Sequence, residues 1–243
     1  MLRRTGLAHH PGELKQRSGD YVTGTDRASE QAIVDALTRL APGVPILAEE
    51  RGGARSGTRW AVDPLDGTTN FTRAMPVVGV SVALLDAGQP VVGVVLAPWL
   101  DLEFAVERGR GATLNGERLP PLGPGDPRTA VVATGFPFRV KNRMDRYLPV
   151  LLGCLRRFED LRRAGSASLD LAWTAAGTFD GFFELELGTW DVAAGAALIQ
   201  EVGGRVTDWS GGSDWLDSGD ILAAPPAVHE VMLELAAGRP VGE

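Results

Sequence analysis

Four short stretches of the 243-residue chain set carboxylates beside residues that build turns and helix caps: "DYVTGTD" at 20–26, "ILAEER" at 46–51, "DPLDGTT" at 63–69 and "TWDVAAG" at 189–195. Taken singly, each has a purely structural explanation. Asp26 and Asp191 could be N-caps, Glu49 and Glu50 a solvated turn, and Pro64, Asp66 and Gly67 a tight turn after a strand. Taken together they suggest chemistry. If Glu49, Asp63, Asp66 and Asp191 converge, two like charges about 4 Å apart repel by roughly 4 kcal/mol at an effective dielectric of ~20, so a cation is needed to keep them ionised. Oxygen-only ligands, with no histidine or cysteine nearby in sequence, point to a hard ion, Mg²⁺ with Mn²⁺ as the alternative, rather than zinc. The stiff turn at Pro64 would aim the Leu65 carbonyl at the same ion. If Gly67, Thr68 and Thr69 open a helix, their N–H groups can bind phosphate oxygens, with glycine allowing close approach and a threonine hydroxyl holding a water.

Positioning these groups requires a sizeable scaffold, and the periodicities supply one. After Asp26, residues Ala28, Ile33, Ala36, Leu37 and Leu40 recur at helical spacing, with Thr25 or Asp26 as N-cap and Pro42-Gly43 past the end. The β-branched runs 77–85 and 91–96, then "LEFAV", "ATLN" and "ERL" with Asn115-Gly116 as a hairpin signal, predict an antiparallel meander. "PPLGPGDP" at 120–127 marks a seam between an N-terminal α+β subdomain, 1–122, carrying most of the candidate metal ligands, and a C-terminal α/β subdomain, 128–243, carrying substrate contacts and the last ligand. Beyond the seam, "AVVATGF", "DGFFELE" and "DILAAP" read as strands, while 143–156, "LDLAWTAAG", "WDVAAGAALIQEVGG" and 226–237 read as helices. The expected fold class is α+β: a layered αβαβα sandwich with an antiparallel N-terminal sheet and a second, mixed sheet.

Composition narrows the function classes. Apolar content of 44% and charged content of 23% exclude a disordered chain or coiled coil. A net charge of −7 gives no overall attraction for polyanions, so nucleic acid and anionic membranes are not expected partners, although a local basic patch remains open. The lone cysteine, Cys154, rules out an internal disulfide and reads as a buried small hydrophobe in a reducing cytoplasm. The N-terminus has arginines but no apolar stretch after them, and 77–100 is too interrupted to span a membrane, so a soluble cytoplasmic protein is expected. His9, His10 and His229 lack metal-ligand spacing and are expected at the surface.

At this point the chain resembles the inositol monophosphatase family of Mg²⁺-dependent, lithium-sensitive phosphatases. "WAVDPLDGTTNF" at 60–71 is similar to its first signature and "WDVAAGAALIQEVGG" at 190–204 to its second, with "DYVTGTD" and "AEE" where the family has equivalent short motifs. The resemblance implies metals held by Glu49, Asp63, Asp66, Asp191 and the Leu65 carbonyl, and a water activated by Thr68 and Asp26. It implies phosphate on the Gly67 and Thr68 amides, and a substrate ring touched by Gly165, Ser166 and Ala167, residues that could equally cap the following helix. Glu184 and Asp191 would bind substrate hydroxyls. Lys15 matches a loop lysine that helps bind a further metal-bound water, with a plain solvated charge as the alternative. The sequence departs from the family at two points. "HHPGE" does not resemble the helix usual before that lysine, leaving either a lost helix or a misplaced start. Ala48 stands where glycine often precedes the glutamate pair, leaving Glu49 and Glu50 both open as the ligand.

The function implied is hydrolysis of a small sugar or polyol phosphate monoester, inositol 1-phosphate foremost, by in-line attack of metal-activated water and without a phosphoenzyme. Related activities on fructose 1,6-bisphosphate, histidinol phosphate or 3′-phosphoadenosine 5′-phosphate are the alternatives, with a homodimer as the assembly. A separate alternative is a regulatory binding partner of the transcription machinery.

Overall fold

A computed structural model describes residues 2–5, 10, 12–14, 21–138 and 141–238. Lys15, Asp20 and His9 lie outside them. The layers are those of the expected αβαβα sandwich. Helix Gly24–Leu40 lies on an eight-stranded sheet, helices Ala167–Ala175 and Thr189–Glu201 follow, then a five-stranded sheet, then helices Met144–Arg157 and Pro226–Ala236.

Strand alternation assigns the faces, because successive side chains point to opposite sides of a sheet. In the eight-stranded sheet, Ala61, Ala83, Leu85 and Phe104 pack inward against Leu169, Leu171 and Leu198, while Val62 and Ala48 face Leu37 of the outer helix. In the five-stranded sheet Phe182, Ile221 and Ala223 join the inner core, whereas Phe183, Leu222 and Ala224 meet Tyr147, Cys154 and Met232 on the outside. Helix Thr189–Glu201 is enclosed by both sheets, which is why it is buried continuously from Val192 to Ile199. Helix Gly24–Leu40 has one sheet beneath it, and its buried residues near the N-terminus are polar: Asp26, Ser29 and Glu30. Among the described residues no helix is long and apolar enough to cross a membrane.

The eight-stranded sheet is antiparallel except where Ile46–Ala48 runs parallel to Arg59–Asp66. That exception positions the site. With Ala48 opposite Val62, the next residues of both strands, Glu49 and Asp63, emerge at the same sheet end, and the Glu49 amide donates to the Val62 carbonyl at 3.1 Å. The five-stranded sheet is mixed, with Asp160–Arg162, Val131–Thr134 and Gly181–Glu184 parallel, and Ile221–Ala224 and Arg205–Thr207 antiparallel.

One local expectation is corrected, and two strands appear that the sequence did not predict. The first long helix starts earlier than its periodicity suggests: its N-cap is Thr23, whose hydroxyl accepts from the Thr25 and Asp26 amides, and Asp26 sits at the third helical position. The edge strands Asp160–Arg162 and Arg205–Thr207 carry no sequence signal, since three residues are too few to show a period.

Candidate metal and phosphate site

In a regular strand, residues three apart point to opposite faces, so Asp63 and Asp66 should diverge. A bulge corrects this. Asp63 pairs with Ser81 and Asp66 with Gly79, three residues against two, which turns both acids to one side. The bulge is fixed at its crest. Ser29 of the outer helix donates to the Pro64 carbonyl at 3.0 Å, and the Leu65 amide donates to Asp63 Oδ1 at 2.9 Å.

Carboxylate oxygens of Asp63, Asp66 and Asp191 lie within 4.8 Å of one another. Asp63 is 1% exposed. Burial first, then the charges of Glu49, Asp66 and Asp191 and a hydrogen bond with Asp191, push its carboxyl well above the usual carboxylate range. A divalent cation fits this cluster: the donors are all oxygen, and its charge would relieve the repulsion that raises Asp63. Asp191 reaches the site from the first turn of helix Thr189–Glu201, where its Oδ2 also accepts from the Gly188 amide at 2.6 Å. It is therefore an N3 residue rather than the N-cap.

Geometry separates the two glutamates. Glu49 lines the cleft and acts on Asp63, whereas the Glu50 amide is held by buried Glu30 at 2.9 Å. Glu30 also accepts from Arg51 Nε at 2.7 Å, so an acid absent from the sequence expectations fixes the backbone that presents Glu49.

Asp66 links the two halves of the sandwich. Its Oδ2 accepts from Ser166 Oγ (2.7 Å), the Ser168 amide (2.7 Å) and Ser168 Oγ (2.6 Å). Ser166 is the positional N-cap of helix Ala167–Ala175 but makes no side-chain cap; an acid 102 residues away in sequence meets that need. Asn70 adds a second tie, donating from Nδ2 to the Val77 and Ala164 carbonyls at 2.8 and 2.9 Å. Gly67 is the N-cap of helix Thr68–Thr72 at φ 89°, and a Cβ there would lie 2.9 Å from the Val77 carbonyl oxygen. The expected helix start after the aspartates is present as one short turn.

Thr68 joins this turn to the outer helix. Its hydroxyl lies 3.2 Å from both Asp26 Oδ1 and the Leu65 carbonyl oxygen, while Asp26 Oδ2 is held by the Thr23 amide and hydroxyl. Burial raises the Asp26 carboxyl, and the hydrogen bonds from Thr23 and Thr68 pull it part of the way back.

The cleft beyond the acids brings together Gly165, Ser166, Ala167 and Glu184 with Phe136, Phe138 and Arg163. The Arg163 guanidinium carbon lies 5.8 Å from the ring centroids of both phenylalanines. Asp170, inside the apolar helix that "LDLAWTAAG" predicts, also borders the cleft; a charged residue in that otherwise apolar run is its sequence signal. His229 is not a surface residue. It is buried beside Thr207, with Nε2 2.9 Å from the hydroxyl, and burial, followed by the charge of Arg205, lowers its pKa to about 4. Cys154 is buried as expected, and burial pushes its thiol up to about 12.

The model describing the inositol monophosphatase family matches residues 3–239. Nus factor SuhB of Escherichia coli strain K12 is 42% identical over 219 residues, covering 89% of this chain and 82% of that protein. Among solved structures, extragenic suppressor protein suhB from Bartonella henselae superposes with a TM-score of 0.87 at 37% identity, covering 93% of this chain and 88% of that one. Inositol monophosphatase from Anabaena sp. PCC 7120 gives 0.85 at 35% identity, covering 90% and 88%.

Proposed function

Since the chain belongs to the inositol monophosphatase family, we propose that it hydrolyses a small sugar or polyol phosphate monoester, inositol 1-phosphate foremost, by in-line attack of water. The observation that carries this reading is the convergence of Asp63, Asp66 and Asp191 within 4.8 Å, beside the turn that begins at Gly67. Glu49, Asp63, Asp66, Asp191 and the Leu65 carbonyl would hold Mg²⁺, or Mn²⁺ in its place, which supplies Lewis-acid polarisation of the phosphate and a lowered pKa for water.

The chain's own groups do the rest. Thr68, its hydroxyl within reach of Asp26 Oδ1, orients the attacking water, and Asp26 takes its proton. The Gly67 and Thr68 amides receive phosphate oxygens, while Glu184, Asp191 and the segment Gly165–Ala167 hold the hydroxyl-bearing leaving group. Lys15 assists a further water, and the working unit is a cytoplasmic homodimer. Fructose 1,6-bisphosphate, histidinol phosphate and 3′-phosphoadenosine 5′-phosphate are the competing substrates. Phosphate release across these four esters, with and without Mg²⁺, tests the reading. Asp66→Asn should lower the Mg²⁺-dependent rate by about 100-fold or more, and an unchanged rate would remove Asp66 from the mechanism.

A second reading, a regulatory partner of the transcription machinery, is supported by the name Nus factor carried by the E. coli relative, which also weighs against setting nucleic acid aside on net charge alone. It is supported too by helix Met144–Arg157, which exposes Leu148, Leu152 and Leu155 and ends in Arg156 and Arg157. Stoichiometric co-purification of RNA or protein partners that survives Asp66→Asn would favour it.

A further inference from the structure

Helix Ala167–Ala175 is almost entirely buried, and its one charged group has no structural explanation. Ser168 is used by Asp66, and Thr174 donates to the Asp170 carbonyl at 2.8 Å. The Asp170 carboxyl is different. The residue is 1% exposed, its Oδ1 has no hydrogen-bond partner among the described residues, and it borders the cleft. The charged groups facing it are Glu184, Asp66 and Arg163; burial, then the first two, disfavour a negative charge on Asp170. Burying an acceptor in this way costs about 1–3 kcal/mol with no return to the fold, so a donor from outside the chain is the missing partner.

The opposite wall supplies the second half of the arrangement. Glu184 ends strand Gly181–Glu184, and a Cβ placed on Gly135 would stand 2.1 Å from its carboxyl atoms, so bare backbone at 135 is what admits that carboxyl to the cleft. Asp170 and Glu184 therefore border the cleft as two acceptors beside the acidic cluster. A neutral hydroxyl is the donor that suits Asp170, because it satisfies the orphaned oxygen without adding charge. A site built this way rejects an analogue lacking the hydroxyl by leaving a buried acceptor unpaired.

We propose that Asp170 is a substrate-binding and specificity-determining residue that accepts a hydrogen bond from a hydroxyl of the leaving group, next to the hydroxyl taken by Glu184, so that the site selects polyol phosphates over esters of plain alcohols. This inference rests on the phosphatase reading. The experiment compares kcat/KM for inositol 1-phosphate and for cyclohexyl phosphate, the same ring without hydroxyls, in the wild type, Asp170→Asn and Asp170→Leu. The inositol-to-cyclohexyl ratio should fall about tenfold or more in Asp170→Leu, chiefly through KM for the polyol ester. It should fall by an intermediate factor of about three in Asp170→Asn, which keeps a weaker, neutral acceptor. Asp170→Leu should melt at or above the wild-type temperature, since an unpartnered buried polar group is removed. Equal losses on both esters, or an unchanged ratio in Asp170→Asn, would overturn the proposal even if Asp170→Leu failed to fold. A wild type that releases phosphate from neither ester would overturn the phosphatase reading and this inference with it.

Discussion

Replacing Asp63 by Asn separates a metal site from an ordinary polar cluster without measuring catalysis. The oxygens of Asp63, Asp66 and Asp191 lie within 4.8 Å. Two unit charges at that separation repel by about 3.5 kcal/mol at an effective dielectric of ~20. The hydrogen bond between Asp63 and Asp191 relieves part of this. The asparagine keeps an oxygen to accept from the Leu65 amide, whose bond to Asp63 Oδ1 is 2.9 Å, and removes a carboxyl that must either ionise against its neighbours or hold a proton above its usual range. In EDTA near neutral pH, the variant should therefore be more stable than the wild type by about 2 kcal/mol, which for a chain of this size is about 4–8 °C in melting temperature. Titrating Mg²⁺ should reverse the order. At about 100 times its Kd the ion adds about 2.7 kcal/mol to the wild type, and the variant, having lost a ligand, should show little of that gain. Scanning calorimetry in EDTA and across a Mg²⁺ series reads both effects. A variant that melts lower in EDTA and gains as much from Mg²⁺ as the wild type would refute the idea that repulsion among these acids is what a cation relieves.

Glu49→Gln should cut Mg²⁺-dependent phosphate release by about tenfold or more while Glu50→Gln leaves it within about twofold, because Glu49 acts on Asp63 and the Glu50 backbone is tied to Glu30; steady-state rates across Mg²⁺ concentrations decide between them. Gly67→Ala should cost about 1–3 kcal/mol in chemical denaturation, since φ 89° and a Cβ 2.9 Å from the Val77 carbonyl oxygen both oppose it; an unaffected midpoint would mean that the turn relaxes freely. His229 is depressed to about 4 from 6.5, so between those values the unfolded chain binds the extra proton and stability falls as pH falls. From pH 7 to pH 5 that loss should be about 2 kcal/mol, and His229→Gln should remove it, as seen by comparing wild-type and variant denaturation midpoints at the two pH values.

The acids at 49, 63, 66 and 191, the turn chemistry around Pro64, and the alternation that fixes the sheet faces were legible in the sequence, because each is a matter of residue type and local spacing. The long helices were legible as well, apart from the true cap of Gly24–Leu40, which lies at Thr23, outside the apolar pattern that reveals the helix; the four-residue helices Leu2–Thr5 and Trp215–Ser218 are too short to show a period and were not. What tertiary structure alone decided are relations between distant segments. The parallel pairing of Ala48 with Val62 selects Glu49 over Glu50 as the residue facing Asp63. The bulge that brings Asp63 and Asp66 to one side depends on the partner strand at Ser81 and Gly79. Ser29 on the Pro64 carbonyl, Asn70 on the Ala164 carbonyl and Asp66 on the Ser168 amide join groups 35, 94 and 102 residues apart. The burial of His229 and Asp170 follows from which helices cover which sheet. Local spacing carries periodicity and turn preference. It carries no information about which remote polar group will meet a given donor or acceptor, because that partnership exists only once the layers have packed.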